Sequence, residues 1–352
     1  MILVTGGAGY IGSHVCVALL DAGFDVVAID NLSNSNRVSL ERVQFICGRS
    51  LVFRHADIRN EELIYDVLRT CGVTAVIHLA GLKAVGDSTV QPMTYYENNV
   101  LGTMRLVSAM KRANVKALIF SSSATVYGIP KYLPLDEKHP LRPTNPYGRT
   151  KLTIEEMLTD LYRSDDSWRI SNFRYFNPVG AHESGLIGED PLGTPNNLLP
   201  FVAQVAIGRQ EKLRILGNDY DTPDGTCIRD FIHVVDLAAG HLSALRQPRH
   251  PGLLTVNLGT GSGTSVLDVV RTFEEASGRS IPYEIGERRV GDVAACYADP
   301  TFAKVALGWM SARSLQQMCA DHWRWQLQNP NGYGDSEFSK IRERSRYLRR
   351  HS

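Results

Sequence analysis

The chain is sparing with the features that would place it outside the ordinary soluble enzymes. It has six cysteines in 352 residues, at positions 16, 47, 71, 227, 296 and 319, and none forms a C-x-x-C pair or a ligand cluster. That excludes a zinc module and a disulfide framework, predicts no metal, and fits a reducing cytosol. No run of about twenty apolar residues occurs, so no membrane partner is expected. Strand-prone residues begin at once, with no charged segment and long apolar stretch before them, and the expectation is a cytoplasmic protein. Charge of either sign is also not in surplus. Lys and Arg number 38 against 37 Asp and Glu, a net +1, which gives no call for nucleic acid or an anionic surface. The stretch 340–352 is basic and polar and reads as a frayed end. At 39.0 kDa the chain can hold one large domain or two joined ones with a sizeable core.

What is present is concentrated at the start. Met1-Ile-Leu-Val-Thr-Gly-Gly-Ala-Gly-Tyr-Ile-Gly12 gives a short apolar strand, glycines at 6, 9 and 12, and then an apolar-periodic helix from Ile11 to Leu20. Strand, tight turn and helix together bring backbone amides and the positive end of a helix dipole up to a pyrophosphate. Gly6 would make the turn, Gly9 leave room for phosphate, and Gly12 allow helix and strand to pack. A glycine pattern alone also serves plain β-α connections. Here a second buried strand, Phe24 to Asp30, ends in a carboxylate at the distance expected for a ribose contact. An acid there accepts from a free 2′-hydroxyl and repels a 2′-phosphate, which predicts NAD rather than NADP.

Alternation of strand and helix continues. Leu51 to Ile58 predicts a strand carrying Asp57, Glu61 to Arg69 a helix, and Ala75 to Leu79 a buried strand running into the small-residue turn Ala80-Gly81-Leu82-Lys83. In a parallel sheet the carboxyl ends of strands hold ligands, so Asp57, Ile58 and the 79–83 turn are candidates to flank adenine and the cofactor's sugars. Pro92 to Arg112 predicts a long helix with Tyr95, Asn99, Gly102, Leu106, Val107 and Met110 on helical spacing, and with Asn98 as a buried amide in need of partners. The strand Ala117 to Ser123 ends in three hydroxyl residues, which an apolar core would not require. Tyr147 and Lys151 then share a helix face at a spacing of four. A lysine one turn away, with a positive nicotinamide ring, would stabilise a phenolate and make Tyr147 a usable base, and Ser123 could donate to the same substrate oxygen.

Several long stretches carry a resemblance. Thr5-Gly-Gly-Ala-Gly-Tyr-Ile-Gly-Ser-His14, His78-Leu-Ala-Gly-Leu-Lys-Ala-Val-Gly86, Ser121-Ser-Ser-Ala-Thr-Val-Tyr-Gly128, Arg174-Tyr-Phe-Asn-Pro-Val-Gly-Ala-His182, Pro195-Asn-Asn-Leu198 and Arg229-Asp-Phe-Ile-His-Val234 resemble the UDP-glucose 4-epimerase family of extended short-chain dehydrogenases/reductases, from the first residue to about Gly334. The resemblance implies an α/β, Rossmann-type doubly wound parallel sheet with a smaller discontinuous substrate domain. The expected NAD domain is 1–176 plus about 230–258, and the expected UDP-sugar domain is 177–229 plus about 259–338. It implies Tyr147 as acid/base at the sugar 4-hydroxyl, Lys151 on the nicotinamide ribose, and Ser123 assisting. NAD would be lined by Gly6, Gly9, Tyr10, Ile11, Gly12, Asp30, Asn31, Leu32, Asn34, Ser35, Asp57, Ile58, Leu79, Ala80, Gly81, Lys83, Asn98, Ser121 and Phe176. The UDP-sugar would be held by Lys83, Ser123, Ala124, Thr125, Asn177, Asn197, Leu198, Leu216, Arg229, Arg289, Asp292 and Cys296. A homodimer through the Met93–Arg112 and Leu152–Tyr162 helices is likewise implied.

The implied reaction oxidises C4 to a keto sugar anchored by UDP and returns hydride to its other face. Where some members have a tyrosine beside the hexose, this chain has Cys296, so N-acetylated UDP-hexoses are candidate substrates, even as the main role. A nucleotide-sugar 4,6-dehydratase would need an Asp-Glu pair after the strand-end hydroxyl residue, and these places hold Ala124 and Thr125. A net reductase would release its cofactor at each turnover. A non-catalytic NAD-sensing module would not need Ser123, Tyr147 and Lys151.

Overall fold

The computed structural model describes residues 1–193, 195–247, 252–289 and 291–334. The expectation of a frayed basic end at 339–352 lies outside the described residues. Six strands arise in chain order, β1 (Ile2–Thr5), β2 (Val26–Asp30), β3 (Val52–His55), β4 (Ala75–His78), β5 (Ala117–Ser123) and β6 (Arg169–Tyr175), and Leu253–Leu258 returns as a seventh. Their order across the sheet is Leu253–Leu258, β6, β5, β4, β1, β2, β3, and every pairing is parallel. This is the doubly wound sheet expected from the sequence. Buried on both faces, its strands read as continuous apolar runs, not as alternations. Val4, Ala28 and Ile77 pack on one side with Val15 and Leu19 of the first helix. Leu3, Val27, Ile29, Val76 and Leu118 pack on the other with Leu106, Ile154 and Leu158.

The chain reverses direction of winding between β1 and β4, and a crevice opens there at the strand ends. Thr5 Oγ1 bonds His78 Nδ1 at 2.8 Å and accepts from the amides of Leu79 and Ala80, both at 3.2 Å, which fixes the two strand ends together.

Element boundaries shift where local chemistry intervenes. β3 stops at His55, before Asp57, because Asp57 Oδ1 accepts from the amide two residues on, Arg59, at 2.9 Å and closes a turn. The long helix from Pro92 is continuous but contains a π turn at Tyr96–Leu101 before resuming over Gly102–Arg112. The helix bearing Tyr147 starts earlier than its apolar periodicity suggests, at Pro146. Asn145 caps it, accepting from Gly148 N at 2.8 Å, and Pro146 takes the first position, where a missing N–H costs nothing. Smaller sheets cover the crevice side. Asn177–Val179 pairs with Phe231–His233, Leu213–Leu216 with Tyr283–Gly286, and Ile228–Arg229 lies between Thr264–Ser265 and Ala295–Cys296.

Candidate functional site

The turn after β1 is built for close approach. Gly6 has φ +67°, and a Cβ there would lie 2.8 Å from the amide nitrogen of Ala80. A Cβ on Gly12 would lie 2.1 Å from the carbonyl oxygen of Gly6. Both are thus confined to glycine for the reasons the sequence suggests. Gly9 is the cap of the helix Tyr10–Asp21, with no side chain bonded over its first amides. Asp30 ends β2 beside this turn, and three donors already shape its carboxylate: Ala8 N at 3.0 Å, Leu32 N at 2.9 Å and Ser35 Oγ at 2.8 Å. A carboxylate offers about four acceptor sites, so one is left for a ribose hydroxyl. Leu32 is drawn into the left-handed region, φ 58°, by its bond to Asp30. Asn31 donates to Asp57 at 3.0 Å, and Arg59 grips Asp57 with Nε and Nη2, holding its carboxyl well below the ordinary value, chiefly through that hydrogen bonding. Tyr10 donates to the carbonyl of Gly180 at 2.7 Å, and Ile11 is half-buried. Ile58 is buried under Gly102, while Asn34 is exposed. A glycine cradle beside an acid with one free acceptor site fits a dinucleotide.

The turn 79–83 is locked by Asn99, not by Asn98. Asn99 is buried, accepts from Leu82 N at 2.8 Å, and donates to Leu82 O at 3.0 Å and Thr150 Oγ1 at 3.2 Å. Asn98 is half-buried beside it and donates to Asn99 Oδ1 at 3.0 Å. Asn99 follows Tyr95 at a spacing of four, on the buried face that continues through Gly102, Leu106 and Met110. Gly81 lies against Asn99, and a Cβ there would be 3.3 Å from its Oδ1.

Tyr147, Lys151 and Ser123 meet at the ends of β5 and the Pro146–Ser164 helix. Lys151 is buried, donates to the carbonyl of Ser121 at 2.6 Å, and sits over the rings of Phe120 at 4.8 Å and Tyr147 at 5.9 Å. Burial lowers Lys151 to about 8, partly offset by the Glu155 carboxylate one turn further on. Burial raises Tyr147, opposed by the Ser123 hydroxyl. Ser123 accepts from Thr125 N at 3.2 Å and Thr125 Oγ1 at 3.0 Å, so its own proton is available to a ligand. Sequence reasoning missed Glu155, although its spacing repeats the interval from Tyr147 to Lys151. Glu155 forms a buried two-point pair with Arg174, Nη2 at 2.6 Å and Nε at 3.0 Å, and accepts from Ser122.

Across the crevice, Arg229, Arg289 and Asp292 meet. Asp292 Oδ1 takes Arg289 Nη2 at 2.7 Å and faces Arg229 Nη2 at 3.7 Å, while Arg229 Nη1 donates to the carbonyls of Ile228 and Val293. Cys296 pairs in register with Arg229 and packs in a small apolar cluster with Phe176 and Ala124. Burial pushes its thiol up to about 11. Asn177 is exposed at the start of its strand, Leu216 closes the Leu213–Leu216 strand, and Leu198 opens a helix whose preceding residue is Asn197. Lys83 Nζ and Asn197 Nδ2 both reach Glu189, which sequence reasoning also missed.

Comparison with known proteins agrees with this geometry. The family described as GDP-mannose 4,6 dehydratase matches residues 3–322. The UDP-glucose 4-epimerase of Bacillus subtilis (strain 168) is 55% identical over 337 residues, 96% of this chain and 99% of its own length. That of Homo sapiens is 55% identical over 341 residues, 95% of this chain and 98% of its own. The crystal structure of UDP-glucose 4-epimerase from Bifidobacterium longum, in complex with NAD+ and UDP, superposes with a TM-score of 0.92 at 51% identity, over 94% of this chain and 99% of that one. No helix among the described residues is long and apolar enough to cross a membrane. The seven-stranded parallel sheet, the glycine cradle and the Tyr147–Lys151 helix are those of an extended short-chain dehydrogenase/reductase, and the chain belongs to the UDP-glucose 4-epimerase family within that group.

Proposed function

We propose that the protein interconverts UDP-glucose and UDP-galactose by 4-epimerisation with tightly held NAD. The observation that carries this reading is the meeting of Tyr147, Ser123 and Lys151 at the mouth of the glycine cradle, with Ala124 and Thr125 where a dehydratase needs its second acid and base. When bound, NAD supplies a hydride acceptor and donor at sugar C4, so the net redox change is zero. Tyr147 holds and releases the proton of the 4-hydroxyl at its phenol oxygen. Ser123 donates to that same oxygen, which carries negative charge as the keto sugar forms and reverts. Lys151, fixed by the carbonyl of Ser121, places its ammonium for the nicotinamide ribose. Gly6, Gly9, Gly12 and Asp30 hold the remainder of the cofactor. Arg229 and Arg289, steadied by Asp292, take the diphosphate, since guanidinium offers planar paired donors. Binding energy then resides in UDP, which does not react, while the hexose is free to turn over. The two sequence-separated portions, 1–176 with 230–258 and 177–229 with 259–334, divide as the NAD and UDP-sugar sides.

Incubation with UDP-galactose and no added NAD tests this. UDP-glucose should accumulate to a mixture of the two sugars. A protein that purifies with NAD yet converts neither sugar would overturn the reading.

A second reading is supported by Cys296. Its thiol, far smaller than a phenol, packs against Phe176 and Ala124. On that ground UDP-GlcNAc and UDP-GalNAc are also proposed as a substrate pair. The assembly proposed is a homodimer in the cytoplasm. It is supported by apolar side chains left exposed along the π-containing helix, Met93 at 74% and Met104 at 50%.

A further inference from the structure

Glu155 takes no part in the steps above, yet it sits one turn beyond Lys151, which itself sits one turn beyond Tyr147. Residues four apart share a helix face, so the three form a stripe, and it meets the ends of β5 and β6. The Glu155 side chain is 6% exposed, and that of Arg174, its partner on β6, is 5% exposed. Oε1 accepts from Arg174 Nε at 3.0 Å and from the Ser122 hydroxyl, while Oε2 accepts from Arg174 Nη2 at 2.6 Å. Ser122 and Arg174 stand opposite each other in the sheet register. One carboxylate therefore ties the helix to both strands at a single level.

That level matters because of what lies on either side of Ser122. The carbonyl of Ser121 takes the Lys151 ammonium at 2.6 Å, and Ser123 carries the hydroxyl proposed to meet the sugar. Arg174 is anchored in turn. Its Nη1 donates to the Tyr127 hydroxyl at 3.1 Å, Tyr127 donates to Asn257 Oδ1 at 2.6 Å, and Asn257 stands opposite Arg174 on the Leu253–Leu258 strand. A buried polar network thus crosses three neighbouring strands beside the residues that hold Lys151. Buried ion pairs are weak stabilisers, and apolar residues of similar volume do as well or better. Placement explains the network better than stability does.

We propose that Glu155 is a positioning residue for Lys151. Through Ser122 it fixes the Ser121 carbonyl, and so the ammonium that this carbonyl holds for the nicotinamide ribose. This rests on the epimerase reading. The other titratable groups at this corner are Tyr147 on the same helix, His78 on β4 and Tyr175 on β6. Burial raises both tyrosines and lowers His78 to about 3, so all three are neutral near pH 7. Glu155 is the carboxylate that favours the charged form of Lys151. Position and charge then come from one side chain.

Glu155→Gln and Ser122→Ala, each alone and combined with Lys151→Met, test it in the NAD-loaded protein. Glu155→Gln keeps the shape and an acceptor for Ser122 but removes the charge. Ser122→Ala leaves the Glu155–Arg174 pair whole, and serves if Glu155→Gln does not fold. The expected result is a kcat for UDP-galactose lowered about tenfold in each single variant, the size of one hydrogen bond, with KM within about twofold. In the Lys151→Met background the same substitutions should change kcat by less than about twofold, because the group they position is gone. A readout apart from activity is the NMR signal of the Lys151 Cε, identified by its loss in Lys151→Met. Its titration should move to lower pH in Glu155→Gln. An unmoved titration, or equal losses of kcat with and without Lys151, would give Glu155 a merely structural role and overturn the proposal. Unsubstituted protein that converts neither sugar would instead sink the epimerase reading, and the lysine titration would still decide the case of Glu155.

Discussion

The two walls of the crevice are made differently. On the sheet side, the groups read as chemical are buried and held by neighbours that leave them little freedom: Lys151 by Ser121, Ser123 by Thr125, Thr5 by His78, Asp30 by three donors. On the far side, Arg229, Asp292 and Cys296 stand on strands of two residues or the loops between them, and the Arg289 side chain is half exposed. A proton transfer needs its donor and acceptor fixed to a fraction of an ångström, which a seven-stranded sheet can supply. A diphosphate grip gains from guanidinium groups that can meet the ligand as it enters. On the proposed reading, rigidity is placed at the reacting carbon and openness at the nucleotide.

If that contrast is right, damage on the sheet wall should appear in turnover and damage on the far wall in affinity. Tyr147→Phe carries the largest expected effect. Loss of the group proposed to exchange the 4-hydroxyl proton should lower kcat by about a thousandfold, with UDP affinity within about twofold, in steady-state kinetics and calorimetry respectively. Turnover left intact would break the comparison at its root. Lys151→Met follows, with kcat lower by about a hundredfold.

Lys151 also makes a prediction in pH. Its folded value is lowered to about 8 by burial, against about 10.4 in an unfolded chain, so between these values the unfolded state binds more protons. Stability should therefore rise with pH across that window, by at most about 3 kcal/mol from this group, because the native state sheds a buried charge that was costing it free energy. Below pH 8 the cost is fully present. Denaturation midpoints measured from pH 7.5 to 10 should climb more steeply in the unsubstituted protein than in Lys151→Met; parallel curves would mean that Lys151 is not desolvated as the structure places it.

Most of the sheet wall could be read from the sequence, because its signals are local. Gly6, Gly9 and Gly12 shape one turn, Tyr147 and Lys151 lie within one helical turn, and buried parallel strands announce themselves as apolar runs. What escaped depends on contacts between distant residues. Glu189 meets Lys83 across 106 positions, and Glu155 meets Arg174 across 19. Neither distance leaves a mark in periodicity. Helical spacing from Tyr95 through Asn99, Gly102, Leu106 and Met110 marks a face that is buried in the structure, whereas Asn98, read as a buried amide, is only half-buried. On the far wall, two-residue strands are too short to show any period, so Arg229, Arg289 and Asp292 were found through resemblance and not through pattern.

Arg229→Ala sharpens the contrast from the other side. It removes a largely buried guanidinium held by two carbonyls and frees Asp292 at the proposed diphosphate site. UDP affinity should fall about thirtyfold, roughly 2 kcal/mol, while kcat at saturating UDP-galactose stays within about threefold. A loss confined to kcat would place Arg229 with the reacting groups and erase the division between the walls.

Cys296→Tyr is the smallest change expected for plain hexoses and the most selective. Cys296 lies where the walls meet, paired in register with Arg229 yet packed against Phe176 and Ala124 from the sheet side. A phenol there adds bulk at the sugar end of the proposed site. A pocket with room for an acetamido group should lose that room, whereas a 2-hydroxyl still fits. Turnover of UDP-GalNAc should therefore fall by about tenfold or more relative to the parent, with UDP-galactose changed by less than about threefold, since steric rejection in a pocket discriminates at this scale. Equal losses on both sugars would mean that the cluster supports the site as a whole and that the volume at Cys296 is not what selects the substituent at C2.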